Sequence, residues 1–279
     1  MTLFVAALTS AFCLPLYSLL LHGLASDLHS HVVLVPLVSL FLLRERRATM
    51  PPAGPAWLGG SVVLAIIGVA TVGASLASRR VLSHNDHLAL FALAYVSLLA
   101  AGGAWFKGQA WMRAAAFPFA FLIFMVPLPD GAVDWLERAS VVGSTDATEL
   151  YYRIFGTPYL RRGVIFELPT ITLRVAQECS GIRSSWVLFI TSILAANMFL
   201  RTTWRRIALV AFVIPLGILR NGFRIFVLSE LCIRIGPHML DTAIHHRGGP
   251  IFFALSLIPL FAFLWWLRRG EGAPTPRAA

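Results

Sequence analysis

The sequence predicts an all-α polytopic membrane protein with about eight transmembrane helices and a small extracytoplasmic segment that contains a β-hairpin. Of the 279 residues, 58% are hydrophobic and only 13% are charged, and the mean hydropathy is +0.76. Soluble domains carry roughly 25% charged residues, and one membrane span needs ~20 apolar residues. The apolar residues come in blocks of about that length. This pattern excludes a disordered chain, a nucleic-acid-binding module and an ordinary soluble enzyme.

Eight apolar blocks give the predicted helices in order. They cover approximately 3–24, 28–43, 57–77, 88–106, 111–128, 180–200, 207–233 and 250–267. No basic segment precedes the first block and no clear cleavage site follows it, so we expect a membrane helix there and not a cleaved signal peptide. We expect one integral membrane domain over residues 1–269 and a short, disordered cytoplasmic tail over 270–279.

Basic residues orient these helices. Basic clusters follow the second and eighth blocks, bracket the loop between the fourth and fifth, and separate the sixth from the seventh. With eight spans all four clusters fall on one side, which the positive-inside rule makes cytoplasmic. Both termini are then cytoplasmic, and Arg79 and Arg80 are the main exception. Topology therefore accounts for the net charge of +10, and we expect no nucleic-acid partner.

The segment 129–178 is the one sizeable connection between blocks, and it lies on the outer side. Its first part has helical spacing, with Val133, Leu136 and Ser140 on one side. Its second part alternates apolar and polar residues around a turn that contains Pro169 and Thr170. Alternation on both sides of such a turn predicts a β-hairpin, which leads directly into Cys179.

Cys179 is the first of three polar groups at the outer ends of the last helices. A thiol at a helix N-terminus is favoured as the thiolate, and Arg183 lies four residues on, on the same helical face. The pattern fits a nucleophile. It also fits a small residue that packs at the start of a helix.

Arg220, Asn221 and Arg224 form the second group, late in the seventh block. Two arginines four residues apart share a helical face and repel each other unless an anion or a developing negative charge lies between them. They could stabilise an oxyanion. They could also extend to the membrane interface or pair with Glu230.

His245 and His246 form the third group, just before the last block. They could carry protons, lie passively at the interface, or provide half of a metal site. Metal binding is poorly supported, because adjacent ring vectors diverge. Three scattered cysteines are too few for a disulfide framework or a zinc site. We therefore expect neither a metal nor another cofactor.

Cysteine, arginine and histidine at three successive helix ends are the groups that thiol acyl transfer requires. A non-enzymatic transporter or channel for an anionic solute is the competing class, because buried Arg and His also fit an anion path. Thiol–disulfide chemistry is a weaker alternative, because the chain has no CxxC motif and only Cys232 could serve as a resolving thiol.

At these residues the chain resembles the exosortase/archaeosortase family of membrane transpeptidases. The family motifs Cys-Ser-Gly, Asn-x-x-Arg and His-x-x-x-Gly are matched by Cys179-Ser180-Gly181, by Asn221 to Arg224, and by His245 to Gly249. Their order and membrane context also agree, and the segment 26–31, which ends at His31, resembles the family's first outer loop.

The resemblance implies that Cys179 is the nucleophile, Arg224 the essential arginine and His245 the third catalytic residue, although His246 could replace His245. Arg183, Arg220, Asn221 and His31 are supporting or substrate-contact candidates. The resemblance further implies exported substrates with a PEP-CTERM-like C-terminal sorting signal, namely a short motif, a membrane helix and a basic tail. It also implies an unidentified acyl acceptor, association with exopolysaccharide, contact with membrane lipid, and a bacterial inner membrane with the active site on the periplasmic face.

Overall fold

The computed structural model describes residues 1–26, 28–176, 181–236 and 249–271. It is mostly helical (78%), with one small three-stranded sheet. The chain forms two compact units, Met1–Val133 and Asp134–Ala279.

The first unit is built from helices. They are α1 Thr2–Ala11, α2 Cys13–Ala25, α3 Val35–Glu45, α4 Leu58–Ala77, α5 His84–Ala114 and α6 Ala116–Phe121, with 3-10 helices at Ser30–Val33, Arg47–Thr49 and Leu122–Met125. A bend of 72° separates α1 from α2 at Phe12. Pro15 accounts for this bend, because it cannot donate to the carbonyl of Ala11 and its ring clashes with that carbonyl.

Small residues allow α4 and α5 to pack closely. Ser61 Oγ donates a hydrogen bond across the pair to the carbonyl of Ala101 at 3.0 Å. A Cβ at Gly68 would lie only 2.6 Å from Leu98 Cγ. The backbone of α5 is interrupted at Gly108, whose φ is +80°. This break turns the chain from the long part of α5 into the short segment that precedes α6.

The second unit contains most of α7 (Asp130–Phe155), followed by β1 Leu160–Arg162, β2 Ile165–Glu167 and β3 Thr172–Arg174. The strands are antiparallel in the order β1-β2-β3, and Phe166 pairs with Arg161 and Leu173. The helix and the hairpin expected from the sequence are thus confirmed, and β1 is an additional strand. Phe166 and Tyr152 are fully buried between the sheet, α7 and α9.

The remaining helices are α8 Ile182–Phe199, α9 Thr203–Arg234 and α10 Gly249–Arg269. They share an apolar core that includes Leu188, Leu209 and Leu260, each with no exposed surface. At 1.5 Å per residue, the 32 residues of α9 extend about 48 Å, more than the ~30 Å hydrocarbon core of a bilayer. One end of α9 therefore has to extend beyond the apolar layer.

Five described helices are long and apolar enough to cross a membrane: α4, α5, α8, α9 and α10. The count rises to seven if two bent pairs each form one span, namely α1 with α2, and Ala116–Met125 with Asp130–Phe155. The expected eight is not reached by this measure. The block 28–43 contributes only a 3-10 turn and the 11 residues of α3, because Pro36 allows α3 to begin no earlier than Val35.

Candidate active site

Gly181 begins the described part of the candidate site and forms the N-cap of α8. Its backbone is left-handed, with φ +67° and ψ 11°. A Cβ at this position would lie 2.6 Å from Oδ1 of Asn221. Both the backbone conformation and the packing therefore require glycine as the last residue of the Cys-Ser-Gly motif.

Arg220 of α9 fixes the same turn through two hydrogen bonds. Its Nη2 donates to the carbonyl of Gly181 and to Oγ of Ser185, each at 3.0 Å. Only 7% of Arg220 is exposed. The side chain is therefore buried and does not extend to the membrane interface, which was one interpretation of the sequence.

Asn221 is the next residue of α9 and is 2% exposed. Its Nδ2 donates to Oγ of Ser144 on α7 at 2.9 Å. Beside this contact, Thr148 Oγ1 donates to the carbonyl of Gly222 at 3.3 Å, and a Cβ at Gly222 would come within 2.5 Å of Ala147 Cβ. α7 therefore holds the turn of α9 that carries Arg220 and Asn221 in a fixed position.

Arg224 lies one helical turn beyond Arg220 on the same face of α9 and is half-buried. The two guanidinium groups repel each other electrostatically. Glu230, the partner considered from the sequence, accepts hydrogen bonds from Thr157 and, at 3.0 Å, from Arg234. Arg183 is exposed in the first turn of α8. Arg183, Arg220, Asn221 and Arg224 are thus carried by two helices that pack together.

Three predicted residues, Cys179, His245 and His246, lie outside the residues that the structure describes. Their roles remain predictions. The segment 177–180 lies between β3 and α8, and the segment 237–248 lies between α9 and α10. Cys179 is separated from Gly181 by one residue, and His245 precedes the start of α10 by four positions.

His31 belongs to the first unit, where it is part of a histidine cluster. Its Nδ1 donates to the carbonyl of Leu28 at 3.1 Å. Nearby, the rings of His22 and His29 share a hydrogen bond between Nε2 and Nδ1 at 3.2 Å. Burial and the charges of His22 and His31 lower the pKa of His29 to about 4.

The polar partners of these residues are not evident from the sequence. Ser144 is one of many polar residues of α7 and Ser185 directly follows Ser184, so no sequence signal distinguishes them. The cluster around His29 also includes His22 and the ring of His84, 6.2 Å from His22, which only the fold brings together. Among residues 1–26, 28–176, 181–236 and 249–271, no group of three or more His, Cys, Asp or Glu side chains could hold a metal ion.

The family model described as transmembrane exosortase matches residues 23–262 of the chain. The matched range includes the segment around His31, the Cys-Ser-Gly motif before α8, the Asn-x-x-Arg motif within α9, and the histidine motif before α10. Comparisons with curated proteins and with solved structures give no significant match.

Proposed function

The chain belongs to the transmembrane exosortase family, and on that premise we propose that it is a membrane-embedded cysteine transpeptidase. It acts on exported proteins that carry a C-terminal sorting signal of the PEP-CTERM type, with a short motif, a membrane helix and a basic tail. It removes the signal and transfers the new acyl end of the protein to an envelope acceptor. The active site faces the periplasm from the inner membrane.

The set of buried contacts around Gly181 is the observation that carries this proposal. Arg220 and Asn221 come from the helix with the Asn-x-x-Arg motif, and they fix the residue that ends the Cys-Ser-Gly motif. Two motifs that are 40 residues apart in the chain therefore form one packed arrangement. Enzymes need such pre-organisation, because misplaced catalytic groups lose most of their rate advantage.

In the acylation step, the thiolate of Cys179 attacks the carbonyl carbon of the scissile peptide bond. Arg224 stabilises the negative charge that develops on the carbonyl oxygen. The C–N bond then breaks, and protonated His245 gives its proton to the leaving amine of the sorting signal. The product is a thioester between Cys179 and the new C-terminus of the substrate.

In the second step, an amine or hydroxyl group of the acceptor attacks the thioester carbonyl. Neutral His245 takes the proton of the acceptor, and the Cys179 sulfur leaves as thiolate. The enzyme returns to its starting protonation state, and no oxidant or reductant is consumed. No metal or other cofactor enters either step.

The test is the intact mass of a membrane-anchored candidate substrate that is co-expressed with the parent enzyme or with Cys179→Ala. We expect the signal to be lost only when Cys179 is present, and the residual mass then identifies the acceptor. Arg234→Gln is the matched control variant, because Arg234 is exposed at the far end of α9 and its carboxylate partner is Glu230. We expect this variant to process the substrate at the parent rate.

Equal masses from parent and Cys179→Ala, with folded enzyme and a confirmed cognate substrate, would contradict the assignment of the nucleophile. An anionic-solute transporter would then be the better proposal, because it predicts that substitution of Cys179 is silent and that activity follows a solute gradient. The buried Arg220 would be the starting point for locating such an anion path.

A further inference from the structure

Arg220 is a cation in a buried, apolar environment, where charged side chains are rare. More than nine-tenths of the residue is buried, and it lies within an apolar helix that is long enough to cross a membrane. Removing a guanidinium group from water is costly unless an anion or a full set of acceptors compensates. The contacts of Arg220 should therefore indicate what compensates it.

Neutral groups provide only part of the compensation. Nη2 donates to the carbonyl of Gly181 and the hydroxyl of Ser185. Nη1 is buried and has no hydrogen-bond partner among the residues that the structure describes. The carboxylates that form ion pairs in the described part of this unit are engaged with arginines other than Arg220. These pairs are Arg153–Glu149, Arg161–Asp146, Arg161–Glu149, Arg162–Glu167 and Arg234–Glu230.

The position of Gly181 determines what an unsatisfied guanidinium group can reach. Two residues of extended chain span at most about 7 Å, so the Cα atom of Cys179 lies within about 7 Å of that of Gly181. Nη2 of Arg220 is 3.0 Å from the carbonyl oxygen of Gly181. The guanidinium group and the backbone of Cys179 are thus at most about 13 Å apart, and out of bulk water a cation at that distance favours the anionic form of an acid by roughly one pH unit.

We propose that Arg220 is a positioning residue for the nucleophile: it holds the first turn of α8 through Gly181 and Ser185, and its charge keeps the thiol of Cys179 ionised. This inference rests on the proposed function, in which Cys179 attacks the substrate. It assigns different tasks to the two arginines of α9. Arg224 acts on the substrate oxyanion, and Arg220 acts through the backbone and the charge of the nucleophile.

Small residues around Arg220 fit this role. A Cβ at Gly217, one turn before Arg220, would lie 2.8 Å from Oγ of Ser185, so α8 and α9 approach closely at this level. Ser184 Oγ also donates to the carbonyl of Gly181, at 3.1 Å. The carbonyl of Gly181 thus accepts from two side chains, which fixes the direction in which the chain enters α8.

The first experiment measures the alkylation rate of Cys179 against pH in the purified full-length protein, with peptide mass spectrometry to separate Cys179 from Cys13 and Cys232. We expect Arg220→Gln to raise the midpoint by about one pH unit, which is about tenfold less thiolate below the midpoint. Arg234→Gln removes the same charge from the same helix, 14 residues or about 21 Å away, and should leave the midpoint unchanged. An unchanged midpoint in folded Arg220→Gln would overturn the proposal.

Two further variants address a folding failure of Arg220→Gln. Arg220→Lys keeps the charge but loses the planar guanidinium group with its paired donors. Ser185→Ala keeps Arg220 and removes one of its two hydrogen-bond acceptors. We expect Arg220→Lys and Ser185→Ala to keep the alkylation midpoint close to that of the parent. We also expect both to lower kcat about three- to tenfold with little change in KM. Parent values of kcat in both variants would overturn the positioning role.

The alkylation measurement also separates this inference from the proposed function. If the parent protein cleaves no sorting signal but Arg220→Gln shifts the alkylation midpoint, the transpeptidase proposal fails and the placement of Arg220 stands. If the parent cleaves its substrate but substitution of Arg220 changes neither the alkylation midpoint nor kcat, the transpeptidase proposal stands and the role of Arg220 fails.

Discussion

The role of Gly181 at the residue scale can be separated into a backbone component and a packing component. Gly163, in the turn between β1 and β2, has nearly the same φ, +63°, but a Cβ there would meet nothing within 4 Å. A non-glycine residue in the left-handed region costs about 1–2 kcal/mol at either position. At Gly181 the new Cβ would also displace Asn221.

We therefore predict that backbone strain lowers the free energy of unfolding by similar amounts in Gly181→Ala and Gly163→Ala. Only Gly181→Ala should also lower the cleavage rate, by tenfold or more. Thermal unfolding in detergent and the intact-mass assay measure the two effects. Equal cleavage rates for both variants would show that the turn before α8 tolerates a side chain.

Arg224 supports a second prediction at this scale. A lysine retains the charge but loses the planar pair of donors that fits an oxyanion. Loss of an oxyanion donor typically lowers the rate about 10²–10³-fold. We expect Arg224→Lys to fall in that range in the intact-mass assay, and Arg234→Lys, at an exposed position of the same helix, to keep the parent rate. Parent activity in Arg224→Lys would remove Arg224 from the oxyanion role.

The segment between α2 and α3 supports a prediction at the scale of elements. Burial, together with the charges of His22 and His31, lowers the pKa of His29 from 6.5 to about 4, and Asp130 opposes this shift. Between these values the unfolded segment binds more protons than the folded one, so stability rises with pH. Above pH 6.5 both states are neutral and the contribution no longer changes.

We predict that the melting temperature falls as the pH is lowered from 6.5 towards 4, and that His29→Gln reduces this dependence. A glutamine has no proton to gain in this range, and its amide can still contact Ser26, which lies 3.1 Å from His29 Nδ1. The same pH slope in parent and variant would show that His29 is not the group responsible.

Elements also differ in how far the sequence could predict them. The period-two pattern from Val164 to Val175 correctly predicted the hairpin, because one face of β2 and β3 is buried. β1 was missed because Leu160, Arg161 and Arg162 show no such pattern, and the strand is defined by its pairing with β2. The bend at Phe12 was missed as well, whereas the break at Gly108 lies between the fourth and fifth predicted blocks. Hydropathy detects apolar length, and it does not detect where a helix changes direction.

The candidate site shows the same limit. Arg220, Asn221 and Arg224 stand out in the sequence because polar residues are costly in an apolar helix. Their partners Ser144 and Ser185 do not, because serine is common in both polar and apolar helices and its role depends on which residue lies opposite. Sequence spacing could place Arg220 and Arg224 on one face. It could not indicate that Arg220 holds the carbonyl of Gly181.

At the scale of the whole molecule, the number of crossings determines where the termini lie. Seven crossings place them on opposite sides of the membrane, and eight place them on the same side. The difference depends on the 3-10 turn and α3, Ser30–Glu45, which are too short to count as a span by helix length. Contacts within the first unit give independent information about this segment.

Those contacts show that the segment extends between the two ends of α5. At the end that carries His84, the ring of His22 just before the segment lies 6.2 Å from the ring of His84. At the other end, Arg46 donates to the carbonyl of Ala114 at 3.5 Å and lies over the ring of Phe117. The part of α5 before Gly108 is 24 residues, or about 36 Å, which is long enough to cross the apolar layer. Ala114 lies only seven residues past the end of this part, so we expect a segment that reaches from His84 to Ala114 to cross the same layer.

We therefore predict eight crossings, with both termini on the cytoplasmic side. The test labels spheroplasts with a membrane-impermeant maleimide, in a variant whose native cysteines are replaced. Single cysteines at Ala53 and Ser83, on the two sides of α4, serve as references for the protected and the labelled side. Added terminal cysteines should be protected like the one at Ala53, and the one at Ser83 should be labelled. Labelling of the N-terminus alone would mean that Ser30–Glu45 does not cross, while the Arg44–Arg47 cluster would stay on the protected side with Ala53.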